Sequence, residues 1–82
     1  MYSKGIIEVD VHGMNQYQAK VKIQSILKKA NQSHYIIRVI HGYRNGTVLR
    51  DMIRREFRSH PKIKRIELSM NQGITDIVLK DL

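Results

Sequence analysis

Two histidine-glycine pairs follow strand-like runs of the chain and carry side chains suited to proton transfer. His12-Gly13 comes just after Asp10, and His41-Gly42 ends a second run of β-branched residues. Asp10 and His12 are two residues apart, so in an extended strand their side chains project to the same side. A carboxylate beside an imidazole can orient the ring and stabilise its protonated form, as general acid-base catalysis requires. The alternative is that Asp10 caps the turn at Gly13 and His12 only fills a strand end.

His41 supplies a second imidazole to the same chemistry. Two histidines at one phosphodiester could divide the work, one removing a proton from the nucleophile and the other protonating the leaving oxygen. RNA cleavage through its 2′-hydroxyl would then need no metal. Alternatively, Asp10 with one or both histidines could hold a divalent cation, and the spacing does not define a metal site. We predict Asp10, His12 and His41 as catalytic residues and assign no metal ligand.

The segment after His41 has features of a phosphate-binding loop. Asn45-Gly46 precedes a helix that Thr47 can cap, and free N–H groups at a helix start favour an anion. Arg50, Arg54 and Arg58 follow at helical spacing, which predicts one exposed basic stripe. The alternative is an ordinary glycine-containing loop closed by a threonine. The predicted nucleic-acid-binding residues are Gly13, Gly42, Arg44, Asn45, Gly46, Thr47, Arg50, Arg54 and Arg58.

The net charge of +8 is concentrated in one part of the chain. Eight basic and two acidic residues lie between Arg44 and Arg65. Clustered cations bind polyanions with release of condensed counterions, so nucleic acid is the leading class of partner. Two alternatives are a basic protein kept soluble by its charge and a domain that binds an acidic protein.

The elements that must position these residues alternate regularly. Strand patterns cover Ile6–Val11, Tyr35–Ile40, Ile63–Leu68 and Thr75–Leu79. One helix begins after Asn15, with Gln18 in the capping-box position, and a second begins after Thr47. The order β-α-β-α-β-β, with right-handed crossovers, predicts that the first three strands point the same way. Their carboxyl ends then bring His12-Gly13, the 41–46 loop and the 69–73 turn to one edge.

Length and composition limit the class of protein. With 82 residues, we expect a single domain over residues 1–82 and a modest core. There is no cysteine, and residues 1–13 carry charges that interrupt any apolar segment. We therefore expect no signal peptide, no membrane span and a cytoplasmic location. The sequence leaves the oligomeric state open.

Together, these motifs resemble the signatures of the Smr (small MutS-related) domain family. Val9-Asp10-Val11-His12-Gly13 is similar to its Leu-Asp-x-His-Gly motif. His41-Gly42 with Gly46-Thr47-Val48-Leu49-Arg50 resembles its second motif, and Ser59-His60-Pro61-Lys62-Ile63 resembles its junction into the third strand. The resemblance extends from about Ile6 to Leu79. It departs from the family at Tyr43-Arg44-Asn45, where a further glycine is usual, and at Asn71-Gln72-Gly73, which replaces a Gly-Gly-x-Gly segment.

The resemblance implies a two-layer α/β sandwich similar to the C-terminal domain of translation initiation factor three. Its mixed four-stranded sheet would carry two helices. It also implies nucleic-acid binding, and either DNA nicking or RNA cleavage, in some members on ribosome-bound messenger RNA. Other members of the family only bind, so a non-catalytic nucleic-acid or ribosome-binding module is the alternative. The matching positions in this chain are Asp10, His12, His41, Gly42 and Gly46.

Overall fold

The computed structural model describes residues 5–43 and 46–81. The predicted order of elements is confirmed, with strand ends that differ by one or two residues. The elements are β1 (Ile6–Asp10), α1 (Gln16–Lys29), β2 (Ile36–Ile40), α2 (Val48–Phe57), β3 (Arg65–Leu68) and β4 (Ile74–Val78). β3 begins later than predicted because the N–H of Ile63 donates to the carbonyl of His60 in a turn (3.0 Å).

The four strands form one mixed sheet in the order β1-β2-β4-β3. β1 pairs with β2 in parallel, and β4 is antiparallel to both β2 and β3. β1, β2 and β3 therefore run in the same direction, as predicted. Their carboxyl ends form one edge of the sheet, at which α1 and α2 also begin.

Helix α1 begins with the capping box that the sequence predicts. The side chain of Asn15 accepts from the N–H of Gln18 (2.8 Å), and the side chain of Gln18 accepts from the N–H of Asn15 (3.1 Å). Ala19, Ile23 and Leu27 are buried and face the sheet side of the helix. This reciprocal cap satisfies two of the four free N–H groups at the helix start.

Helix α2 begins differently from the prediction. Thr47 occupies the N-cap position, but its side chain makes no capping bond to the backbone of the helix. Its hydroxyl instead donates to the carboxylate of Asp51 in the first turn (2.8 Å). The expected side-chain cap by Thr47 is therefore wrong, because its backbone, with φ of −111° and ψ of 13°, lies outside the extended region that a capping residue normally adopts.

The core lies between the two helices and one face of the sheet. Val9, Ile37, Val39 and Ile77 pack with residues of both helices, so α1 and α2 cover the same face. The other face carries a charged row in register, Glu8, Arg38, Asp76 and Glu67. Arg38 donates two hydrogen bonds to Asp76, at 3.0 and 3.2 Å, which fixes the centre of that row. No helix in the described ranges is long and apolar enough to cross a membrane.

Candidate nucleic-acid interface

The Asp10–His12 pair forms as the spacing predicts. One carboxylate oxygen of Asp10 lies 2.6 Å from Nδ1 of His12 and also accepts from the His12 backbone N–H at 3.0 Å. Both hydrogen bonds lower the pKa of Asp10, the bond to the ring contributing most. Asp10 therefore both closes the turn before Gly13 and orients the imidazole of His12.

His12 is exposed, with 68% of its side-chain surface accessible. An ionised carboxylate only accepts hydrogen bonds, so Nδ1 of His12 must carry the hydrogen between the two groups. Nε2 is then the nitrogen that can exchange a proton with a ligand. Gly13 follows with φ of +81°, a conformation that turns the chain sharply after His12 and that glycine adopts without strain.

His41 has a different environment from His12. Its residue surface is only 5% accessible, and Nδ1 lies 2.7 Å from the carbonyl of Gly42. Because a carbonyl only accepts, Nδ1 donates, and Nε2 of the neutral ring accepts from the Thr75 hydroxyl (2.9 Å). Burial lowers the pKa of His41, and the charges of Arg50 and Arg54 lower it further. Both ring nitrogens are thus engaged within the protein.

The two histidine-glycine pairs and the 69–73 turn meet at the edge, as predicted. The N–H groups of His41 and Gly42 both donate to the carbonyl of Gly73, at 2.9 and 3.0 Å. Sequence reasoning placed Gly73 only in a turn and missed Thr75. The signal for Thr75 was its position at the start of a β4 pattern, on the face that later carries Ile77.

The glycines of the 41–46 loop shape the backbone rather than present free N–H groups. The N–H of Gly42 donates to Gly73, and the N–H of Gly46 donates to the carbonyl of Tyr43 (3.1 Å). Gly42 has φ of +75°, which lets the chain leave the sheet directly after His41. The expected cradle of loop N–H groups therefore does not form at these two glycines. Arg44 and Asn45, also predicted to bind, lie outside the described residues.

The arginine stripe (Arg50, Arg54 and Arg58) is less exposed than predicted. Arg58 is exposed, whereas Arg50 and Arg54 are half-buried. The Nε of Arg54 is inaccessible and has no hydrogen-bond partner among the described residues, so a ligand can reach only the end of its guanidinium group. The proximity of Arg50 and Arg54 to His41 still places positive charge beside the second histidine-glycine pair.

A cleft of about 610 Å³ opens at this edge between the two histidine-glycine pairs. His12, Tyr43 and Val48 are among the residues that line it. Met14, Ile40 and Leu49 also line it. No group of three or more possible metal-ligating His, Cys, Asp or Glu side chains occurs in the part of the chain that the structure describes. Among the groups at this edge, the His12 imidazole can transfer a proton, and Arg50 and Arg54 can neutralise negative charge.

Residues 9–80 match the family model of the Smr domain. The chain belongs to the Smr domain family. The fold is similar to the Smr domain of Thermus thermophilus MutS2, with a TM-score of 0.81 and 22% sequence identity. That match covers 92% of this chain and 99% of the other, and it confirms the fold predicted for this Smr domain. No curated protein gives a significant match.

Membership of the family carries a coarse functional statement. The Smr domain is known as a nucleic-acid-binding module, and the family therefore implies an interaction between this domain and nucleic acid. The exposed imidazole, the cleft and the arginine stripe all lie on, or start from, the carboxyl edge of the parallel strands.

Proposed function

We propose that this Smr domain binds RNA at the carboxyl edge of its sheet and cleaves it through the RNA 2′-hydroxyl. The observation that carries the proposal is the 2.6 Å contact between Asp10 and the exposed ring of His12. A carboxylate-oriented imidazole with one nitrogen open to solvent is the arrangement required of a general base. Asp10 is the orienting group, and His12 is the residue that touches substrate.

The proposed reaction uses one imidazole. Nε2 of His12 removes the proton of the 2′-hydroxyl, and the oxygen attacks the adjacent phosphorus. The bond from phosphorus to the 5′-oxygen breaks, leaving a 2′,3′-cyclic phosphate, and the departing oxygen takes a proton from water. His12 then returns its proton to solvent. Atoms and charge balance without a redox partner.

His41 has a positioning role in this proposal instead of the acid-base role that the sequence predicts. Its ring joins Gly42 and Thr75, while its backbone N–H is bonded to Gly73. It holds together β2, β4 and the loop that forms one wall of the cleft. A buried neutral imidazole with both nitrogens bonded has no lone pair or proton free for the substrate.

The arginine stripe is proposed to contact the RNA backbone. Arg50 and Arg54 lie near His41, and Arg58 is exposed one turn further along α2. Each phosphate that a cation neutralises adds about −0.7 to the slope of log K against log salt for a single strand. Arg58→Ala should reduce the magnitude of that slope by about this amount. Lys22→Ala, which removes an exposed charge from α1 outside the cleft, is the control.

The second candidate is a module that binds nucleic acid or the ribosome without cleaving. The burial of His41 favours it, because only one of the two predicted histidines is then open to substrate. A single base without a matched acid gives a smaller rate enhancement than a pair. DNA is a poorer substrate for the proposed chemistry because it lacks the 2′-hydroxyl.

The test is cleavage of an end-labelled RNA and of the same strand with 2′-deoxy sugars, each with and without a chelator. Wild type should release products ending in a cyclic phosphate from RNA only, with or without chelator. His12→Ala should abolish this release and Asp10→Asn should reduce it. Glu67→Gln, which neutralises an exposed carboxylate on β3, is the control for Asp10→Asn and should leave the rate unchanged.

Equal backgrounds from wild type and His12→Ala would contradict the catalytic proposal. Salt-dependent binding that persisted under those conditions would establish the non-catalytic candidate instead. Cleavage of the deoxy strand at an equal rate would contradict the role of the 2′-hydroxyl.

A further inference from the structure

The cleft beside His12 has the wrong surface for a phosphate group alone. Its volume of about 610 Å³ lies within the range of small-molecule sites, and a phosphate would fill only part of it. Met14, Ile40 and Leu49 bring aliphatic groups to its lining, and the N–H groups of Gly42 and Gly46 are bonded within the protein. The lining favours a group with a large apolar surface over an isolated anion.

Tyr43 gives this cleft an aromatic wall. The residue is 58% exposed, and its ring edge lies beside the backbone of Gly73. A Cβ at position 73 would lie 3.4 Å from Cδ1 of Tyr43 and 3.2 Å from Cα of Gly42. The second of these distances is to backbone, which cannot move aside cheaply. Gly73 therefore allows the 69–73 turn, Gly42 and the tyrosine ring to approach closely.

We propose that the cleft is a binding subsite for one unpaired RNA base, stacked on Tyr43 next to the phosphodiester that His12 faces. This inference rests on the proposed function and specifies its substrate as single-stranded RNA. Two observations select a base over an apolar side chain of a protein. The exposed tyrosine presents a π-face, and Arg50 and Arg54 put cationic charge beside the cleft, where a base brings its own phosphates.

A base inside a duplex cannot enter this cleft without leaving its stack. Unpairing and unstacking a base costs a few kcal/mol, so the domain should prefer loops and single strands over paired RNA. Stacking on an aromatic ring tolerates every base, since each has a π-face. The subsite therefore selects the unpaired state rather than a sequence.

The test is binding of 2′-O-methyl RNA of about 12 nucleotides, a length within the usual single-strand site sizes. Blocking the 2′-oxygen separates binding from cleavage. The same strand is also offered as a duplex and as a chain of abasic sugars. Wild type should bind the single strand about 10- to 100-fold more tightly than the abasic chain, the range expected for stacking one base.

Variants locate the contact. Tyr43→Ala should lose most of that preference, and Tyr43→Phe should keep it because the ring remains. Tyr17→Ala is the matched control, since Tyr17 is 76% exposed and is not among the residues that line the cleft. Tyr17→Ala should bind the single strand, the duplex and the abasic chain with the same affinities as wild type.

The outcomes distinguish the subsite from the proposed function. Equal affinity of wild type for the 2′-O-methyl single strand and the abasic chain would overturn the proposed subsite. This measurement does not depend on the folding of any variant. Equal losses in Tyr43→Ala and Tyr17→Ala would overturn the assignment to Tyr43. Cleavage of unmodified RNA in either case would leave the proposed function intact. Loss of binding in Tyr43→Ala without any cleavage by wild type would support the subsite and contradict the reaction.

Discussion

The two histidine-glycine pairs look alike in sequence and are opposite in the structure. Both follow parallel neighbouring strands, both precede a glycine with positive φ, and Asp10 is the register partner of Ile40. Yet His12 is exposed and bonded to a carboxylate, whereas His41 is buried between a carbonyl and a hydroxyl. The first pair exposes an imidazole to solvent, and the second forms hydrogen bonds that connect the segments at the sheet edge.

The difference arises from the alternation of side chains along each strand. In β2, Ile37 and Val39 face the core, so His41 continues the inward series. In β1, Val9 and the following Val11 face the core, so His12 falls out of phase and points away. A shift of one residue relative to the buried series is enough to separate an exposed side chain from a buried one.

The largest expected effect is on cleavage by His12→Ala. Removing a general base lowers rates by about 10²- to 10⁴-fold, while loss of an exposed ring should change the free energy of unfolding by less than about 0.5 kcal/mol. Cleavage rates and guanidinium unfolding curves measure the two quantities. A large loss of stability in this variant would mean that His12, like His41, has a structural role.

In His41→Ala, the main expected effect is a loss of stability. It leaves the Thr75 hydroxyl and the Gly42 carbonyl without their partners and opens a cavity, which together should cost about 2 to 4 kcal/mol of unfolding free energy. The measurement is the guanidinium midpoint, with His12→Ala as the control. A cost below about 0.5 kcal/mol would contradict the positioning role, because buried groups cannot lose their partners so cheaply.

Substitutions of the residues that bond to the two histidines should differ in unfolding free energy in the same direction, but by a smaller amount. Thr75→Val keeps the shape of a fully buried side chain but leaves Nε2 of His41 unpaired, which should cost about 1 to 3 kcal/mol. Asp10→Asn alters an exposed pair and should cost less than about 0.5 kcal/mol. Equal losses of unfolding free energy in the two variants would contradict the distinction between a structural His41–Thr75 pair and a surface Asp10–His12 pair.

Local patterns along the chain were enough to predict the element order, the strand directions and the meeting of the three segments at one edge. The alternation of Val9, Val11, Ile37 and Val39 also indicates whether each histidine points toward the core or away from it. The spacing of the motifs alone does not. Hydrogen bonds between distant segments were beyond local patterns. Thr75 reaches His41 across 34 positions, and Gly73 takes the N–H groups of His41 and Gly42.

The Thr47 side chain was mispredicted for a related reason. A threonine before a helix is a good cap in general, but capping also needs an extended backbone at that position, and Thr47 has φ of −111° and ψ of 13°. The half-burial of Arg50 and Arg54 likewise depends on packing around α2. Helical spacing places three arginines on one face and does not say how deeply each side chain is buried there.

The smallest expected effect is the contribution of His41 to the dependence of stability on pH. Burial holds the pKa of His41 below its ordinary value of 6.5, so the unfolded chain takes up the proton first as pH falls. The stability from the neutral buried ring is complete above pH 6.5 and decreases as pH falls from there through the folded-state pKa. The slope for one proton cannot exceed about 1.4 kcal/mol per pH unit. Between about pH 7.5 and 5.5, wild type should lose more of its unfolding free energy than His41→Gln does, as measured by guanidinium unfolding at each pH. An equal loss in wild type and His41→Gln would contradict the assignment of His41 as the buried, neutral member of the two histidine-glycine pairs.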